Sequence, residues 1–313
     1  MIPVPSLADL PLIGSRLQQQ LLAPVIRTLA ADRLPYEQYT DPPGDPGLFG
    51  PGSVTWRVHA DPSMVLGGLS ALLLQTLHPL AIAGVADHSN YREDPLGRLS
   101  RTASFVTGTT YGSTETAERL IALVKRIHRK VKGTAPDGRP YSASDPDLVR
   151  WVHCTEVYSF LRAHRRFVPF PVRGEAADRY YHEVAVIAER LGAGWAPRTR
   201  VAMRAYFRDM QPELEATAQA RDAVRFLTTP AQDDPNPLMA PAHHVVIQAA
   251  VGLLPGWARD MLDLRQPTLV DWAVVRPATH LLMGGLRFAG GIPVPLEEAR
   301  RRCAAEPPRR PAA

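Results

Sequence analysis

Residues 62–86, PSMVLGGLSALLLQTLHPLAIAGVA, carry no charged side chain. By length, this run could cross a bilayer. However, Gln75, Thr76 and His78 lie in its middle, and polar groups are costly at membrane depth. Pro79 lacks the N–H that a continuous helix needs. The pattern therefore predicts a buried core helix that is kinked at Pro79, and no integral membrane segment.

A helical period dominates the rest of the chain. Apolar residues recur three and four positions apart, and proline and glycine clusters separate these segments. We find no internal repeat and no strand-period run of any length. The sequence therefore predicts an all-α, multi-helix single domain, with helices over 14–33, 62–85, 96–107, 113–132, 144–167, 175–191, 197–209, 211–228, 240–253, 256–263, 267–288 and 295–304.

Composition excludes several classes of protein. The chain is 45% hydrophobic, enough for a sizeable core, and its net charge of +5 comes almost wholly from arginine. Basic residues are scattered among acidic ones and no nucleic-acid module is present, so we expect no nucleic-acid partner. Cys154 and Cys303 lie far apart in sequence, which excludes a disulfide framework. With no secretion signal at the N-terminus, the chain is predicted to be cytoplasmic.

Three residues of the predicted helix over 96–107 form the first candidate site. Arg98, Arg101 and Thr102 stand at i, i+3 and i+4, so a helix places them on one face. Guanidinium groups bind carboxylates with paired hydrogen bonds, and a haem carries two propionates. This face therefore predicts an anchor for the propionates of a haem.

The next predicted helix carries His128. Ser113 is its candidate N-cap and Gly133 its expected stop. On a helical projection, His128 lies between lysines and arginines on one side and an apolar stripe on the other. An imidazole there can reach the iron of a buried haem, although a lone histidine on such a helix is also commonly structural. The stripe consists of Leu120, Leu123, Val124, Ile127 and Val131.

Other histidines leave alternatives open. His78 lies in the uncharged run, so its burial is expected, and a buried neutral imidazole needs partners at both nitrogens or a ligand. It can be a second axial ligand, a pocket residue or a satisfied core histidine. His153, Glu156 and His164 on the helix over 144–167 either line the same cavity or mark the polar edge of that helix.

The common catalytic motifs are absent from the sequence. It contains no H-E-x-x-H, no C-x-x-C, no G-x-S-x-G, no P-loop and no strand–GxGxxG–helix unit. Their absence removes the common hydrolase, kinase and nicotinamide-dependent interpretations.

Four segments together resemble a known family. They are residues 44–89 (GDPGLFGPGSVTWRVHADPSMVLGGLSALLLQTLHPLAIAGVADHS), 94–113 (DPLGRLSRTASFVTGTTYGS), 124–133 (VKRIHRKVKG) and 145–161 (DPDLVRWVHCTEVYSFL). Their order and spacing are similar to those of the haem oxygenases that include the latex-clearing rubber oxygenases and the membrane-bound oxygenase of mycophenolic acid biosynthesis. The similarity covers roughly residues 45–290.

The resemblance implies a globin-like core that binds haem b. His128 matches the histidine that holds the iron, Arg98 and Thr102 match the arginine and threonine that these enzymes also need, and Arg101 is the basic residue between them. It also implies three parts: an N-terminal helix and loop (1–44), a haem-binding oxygenase-like domain (45–290), and a C-terminal helix with a disordered tail (291–313).

The leading hypothesis is a haem-dependent oxygenase that uses O₂ on a hydrophobic, isoprenoid-like alkene. Arg98, Arg101, Thr102 and His128 would bind the haem, His128 as its iron ligand. His78, Arg98 and Thr102 would act in catalysis, His78 on the substrate side. Two alternatives stay open: a haem carrier or sensor without turnover, and a helical lipid-binding protein. The sequence leaves a homo-oligomer open.

Overall fold

The computed structural model describes residues 37–229, 239–290 and 293–306. The predicted helix over 14–33 and the end of the tail lie outside this part. The all-α class is confirmed. The helices are α1 Glu37–Thr40, α2 Val54–His59, α3 Met64–Gln75, α4 Pro79–His88, α5 Pro95–Tyr111, α6 Thr114–His128, α7 Pro146–Phe167, α8 Gly174–Leu191, α9 Arg200–Met210, α10 Ala218–Thr228, α11 Met239–Leu253, α12 Gly256–Met261, α13 Thr268–Val270, α14 Arg276–Gly290 and α15 Val294–Ala304. A 3₁₀ turn spans Gln211–Glu213 and a π-helical turn spans Asp271–Val275.

The uncharged run forms α3 and α4, which meet at an angle of 105°. His78 is the N-cap residue of α4, and Pro79 stands in its first turn, where a missing N–H costs nothing. The predicted break at Pro79 is confirmed, but the bend is large enough to make two helices of the one that was predicted. Among the described residues, no single helix is both long and apolar enough to cross a membrane.

The core is built around α3 and α7, which pack tightly against each other. Gly67 permits the contact, because a Cβ atom at this position would lie 2.9 Å from Phe160 Cα and 3.0 Å from the Ser159 carbonyl oxygen. Asp145 caps α7 by accepting a hydrogen bond from the Asp147 N–H. The largest side chains that these two helices bury completely are Leu66, Leu73, Leu74, Trp151, Leu161 and Phe167.

Helix α6 begins as predicted but ends early. The Ser113 hydroxyl accepts a hydrogen bond from the Thr116 N–H, which confirms the N-cap. The prediction that Gly133 stops this helix was wrong, because α6 ends at His128. Gly133 instead pairs with Tyr141 in a short antiparallel hairpin of β1 Lys132–Thr134 and β2 Pro140–Ser142. The sequence predicts no strand here, since strands of three residues are too short to show an alternation of apolar and polar side chains.

Arg302 of α15 fixes the end of α5 that lies next to α6. Its buried guanidinium donates to the carbonyl oxygens of Tyr39 at 2.8 Å, Tyr111 at 2.9 Å and Asp45 at 2.8 Å. The N- and C-terminal parts of the described chain therefore both hold the turn between α5 and α6. The globin-like core and the divisions at 44/45 and 290/291 stay predictions.

Candidate active site

Helix α5 carries Arg98, Arg101 and Thr102, as predicted. Asp94 caps the helix by accepting the Gly97 N–H at 2.9 Å, and its other oxygen pairs with Arg101 at 3.2 Å. Arg101 and Thr102 are exposed, and the Thr102 hydroxyl donates to the Arg98 carbonyl at 3.1 Å. The three side chains therefore differ in burial, because only Arg98 is half-buried.

Arg98 is a cation without an acidic partner. Burial lowers the pKa of its guanidinium, which stacks on Tyr91 with 5.9 Å between Cζ and the ring centre. In the described part of the chain it has no hydrogen bond and no ion pair. A partly desolvated guanidinium of this kind is poised to bind an anionic group of a ligand.

His128 is the last residue of α6 and is half-buried. Burial lowers the pKa of its imidazole, so the ring is neutral at neutral pH, which is the form that binds metals. Neither ring nitrogen has a hydrogen-bond partner among the described residues. The neighbouring apolar stripe is left open as well, because Leu123 is 40% and Ile127 is 50% exposed.

Arg98 and His128 belong to one helix pair. Helices α5 and α6 contact each other and are joined by Gly112 and Ser113 alone. Arg98 lies 13 residues before the end of α5, and His128 lies 14 residues after the start of α6. Each therefore lies toward the end of its helix that is remote from the turn.

His78 lies in a different environment. It is buried at the break between α3 and α4, with its ring 6.0 Å from the ring of Trp151. Burial lowers the pKa of the His78 imidazole, and the positive charge of the nearby Arg139 lowers it further. Its Nδ1 has no hydrogen-bond partner in the described part of the chain. No contact within that part joins His78 to Arg98 or His128.

A buried hydrogen-bonded chain centres on His59, which the sequence analysis missed. Its Nδ1 lies 2.8 Å from the Thr110 hydroxyl and its Nε2 lies 2.9 Å from the Tyr180 hydroxyl. Burial lowers the pKa of His59 to about 3, so the ring stays neutral. These bonds join α2, α5 and α8 across sequence separations of 51 and 121 residues, and no local sequence motif predicts contacts over such separations.

Two further titratable groups lie one turn apart on α7. Burial raises the pKa of Glu156 to about 7 and lowers the pKa of His153 to about 4. Neither side chain has a hydrogen bond or an ion pair to a described residue. His153 is buried, whereas Glu156 keeps accessible surface. That His153, Glu156 and His164 line one cavity stays a prediction.

The described residues contain no group of three or more histidine, cysteine, aspartate and glutamate side chains that could hold a metal ion. Two hollows lie in the described part of the chain. One, mostly polar, lies between α10 and residues 86–93, and the other lies between α6 and Arg190. Neither is lined by Arg98 or His128.

The chain was compared with known families, curated proteins and solved structures. Residues 56–287 match a family model described as "ER-bound oxygenase mpaB/B'/Rubber oxygenase, catalytic domain". No curated protein and no solved structure matches the chain. The matched range contains α5, α6 and α7 in full, and with them every candidate residue discussed above.

Proposed function

The chain belongs to the family of mpaB-type and rubber oxygenases, and we propose that it is a haem b-dependent oxygenase that splits a carbon–carbon double bond of a hydrophobic, isoprenoid-like substrate. The family is an oxygenase family, so O₂ and an oxidisable substrate are its partners. The cofactor, the type of substrate and the cleavage reaction are the proposal.

The residues near the open end of α5 and α6 fit a haem. His128 offers a neutral imidazole whose nitrogens are both free of described partners. Arg98 offers a desolvated guanidinium without an acidic partner. Leu123 and Ile127 offer apolar surface that a porphyrin face would cover. An iron ligand, a propionate partner and an apolar wall are what a protein supplies to haem.

Each residue of the α5 face then has a role. Arg98 would pair with one propionate, and Arg101, which is exposed and paired with Asp94, would be the candidate partner of the other. Thr102 donates to the carbonyl oxygen of Arg98 and so steadies the turn that carries it. His78 stays a prediction as a substrate-side residue, since its Nδ1 is buried without a partner in the described part of the chain.

Haem supplies the oxygen chemistry when it is bound. The overall reaction balances without an external reductant, because one O₂ and one C=C bond give two carbonyl groups. The protein contributes orientation and exclusion of water. Leu69 and Leu72 of α3 and Val106 of α5 are only half-buried, and such apolar side chains suit an alkene.

The observation that carries the proposal is that His128 and Arg98 lie on two connected helices and share the same unusual surroundings. Both are half-buried, and neither side chain has a charged or hydrogen-bonded partner in the described chain. The alternative is that each is a structural residue solvated at the surface. Burial lowers the pKa of both groups, and pKa values perturbed by burial are common at functional sites, which favours the ligand-binding interpretation.

The test is a haem titration of the purified protein. We expect the wild type to bind one haem per chain, with a spectrum that changes on reduction and again on addition of carbon monoxide. His128→Ala should lose the axial ligand and change the Soret band. His182→Ala, at an exposed position on α8, is the matched control and should behave like the wild type. An unchanged spectrum in His128→Ala, or no haem binding by the wild type, refutes the proposal.

A further inference from the structure

Glu156 and His153 of α7 are two titratable groups that the proposed haem site does not use. A carboxyl group that protein surrounds usually pairs with a cation or accepts hydrogen bonds, because its desolvation is otherwise uncompensated. Glu156 does neither within the described chain. His153 is only 6% exposed and is also unpartnered there. Two such groups one helical turn apart indicate a place where a ligand supplies the missing bonds.

The packing of α3 on α7 shows what surrounds them. The Gln75 side chain of α3 donates to the Val152 carbonyl at 3.4 Å, and Gly67 lies against Phe160. The two helices are therefore antiparallel, and Glu156 lies midway between these two contacts. The middle of α3 at that level contributes half-buried Leu69 and Leu72, while Val152 is 39% exposed. The carboxyl group thus lies level with an apolar wall of partly exposed side chains.

Tyr180 of α8 is a polar neighbour of Glu156 that is already committed. It lies near Glu156, but its hydroxyl is bonded to His59, whose second nitrogen is bonded to Thr110. No arginine or lysine pairs with Glu156 in the described chain. These residues therefore leave Glu156 and His153 available to a ligand.

We propose that His153 and Glu156 bind the hydroxyl group of an isoprenoid alcohol, so that the substrate is an alkene with one uncharged oxygen-bearing end. This inference rests on the proposed function, because it assigns a polar end to the hydrophobic substrate. The hydroxyl donates one hydrogen bond and accepts another. A protonated carboxyl group and a neutral imidazole each offer a donor and an acceptor, so the two sets match without any net charge.

Other end groups fit less well. A carboxylate would find no cation beside Glu156 and would repel its ionised form. A plain hydrocarbon would leave both protein groups unpaired and should therefore bind more weakly than the alcohol. An ammonium group would need the carboxyl group to be ionised, within an apolar wall that disfavours charge.

The test compares two ligands that differ by one hydroxyl group, geraniol and 2,6-dimethylocta-2,6-diene, by calorimetric titration. The proteins are the wild type, Glu156→Gln and Glu156→Leu, with Glu175→Leu at an exposed position on α8 as the matched control. We expect the wild type and the control to prefer the alcohol about tenfold, as one buried hydrogen bond gives. Glu156→Gln, which still donates and accepts, should keep most of this preference, and Glu156→Leu should lose it.

Several results overturn the inference: equal binding of both ligands by the wild type, no binding of geraniol, an unchanged preference in Glu156→Leu, or tighter binding of geranylamine than of geraniol. Each variant is first checked by circular dichroism, and we expect Glu156→Leu to fold, because leucine removes an uncompensated carboxyl group. Titrations are run with and without added haem. Loss of haem binding with an intact preference for geraniol would refute the proposed function alone.

Discussion

Gly67→Ala tests whether the close contact of α3 with α7 holds the site together. The new Cβ would meet Phe160 Cα at 2.9 Å and both Phe160 Cδ1 and the Ser159 carbonyl oxygen at 3.0 Å. Ordinary contacts between carbon atoms are about 3.5–4.0 Å. Two of the three atoms belong to the backbone, so the clash cannot be relieved by turning one side chain. The helices must separate.

The neighbouring residue provides the control. A Cβ at Gly68 would find Phe160 Cε1 at 3.8 Å, which is normal van der Waals contact. Gly68→Ala should therefore show only the helix-propensity gain of about 1 kcal/mol. Gly67→Ala has the same gain, but overpacking of a rigid contact costs about 3 kcal/mol. We expect a net loss of about 2 kcal/mol for Gly67→Ala, and so a gap of about 3 kcal/mol between the variants.

The assay is urea unfolding followed by far-ultraviolet circular dichroism, with the midpoint and slope fitted for each variant. Because Glu156 is on the facing helix, Gly67→Ala should also weaken the preference for geraniol over the hydrocarbon. Equal free energies of unfolding for Gly67→Ala and Gly68→Ala would refute the reasoning, since it depends wholly on the difference between these two positions.

Two further predictions concern buried charge. Glu156→Gln should become more stable relative to wild type as pH rises from about 4.5 to about 7, by about 3 kcal/mol at most, and the difference should then level off. The reason is that folded wild type keeps a proton on Glu156 in this pH range, whereas its unfolded chain releases that proton. A pH-independent difference in urea midpoints would contradict this. Asp271 accepts from Arg166 at 2.5 Å and from Arg276 at 2.9 Å, so Asp271→Asn should cost about 3 kcal/mol in urea unfolding. Asp209→Asn removes the exposed pair with Arg208 and should change stability by less than about 1 kcal/mol; equal losses would contradict the role of burial.

The helix ends show how far local sequence reaches. The cap at Ser113 was predicted correctly, because a capping side chain bonds to a backbone N–H two or three residues away. The end of α6 was not. It depends on the pairing of Gly133 with Tyr141, and a Cβ at Gly133 would lie 2.6 Å from Tyr141 Cζ. A glycine that ends a helix and one that makes room for a neighbouring ring look alike in sequence.

The candidate site also has some features that the sequence predicts and others that it does not. The shared helix of Arg98, Arg101 and Thr102 follows from their spacing, but their unequal burial does not. Arg98 is desolvated beside Tyr91, whereas Arg101 turns to Asp94 at the surface. Spacing fixes the direction of each side chain around the helix axis, and the surrounding elements then decide which of these directions is buried.

The sequence by itself determined most of the helices, the break at Pro79 and the family, because these depend on residues within one or two turns or on the order of motifs along the chain. It predicted neither α1 nor α2, and it placed one helix over 267–288, where α13, a π-helical turn and α14 lie. Only the tertiary structure decided which polar groups lose water without gaining a partner. The pKa of Glu156 and the bonds of His59 depend on helices that are far apart in sequence. Desolvation sums over every atom nearby in space, and that sum exists only after the chain has folded.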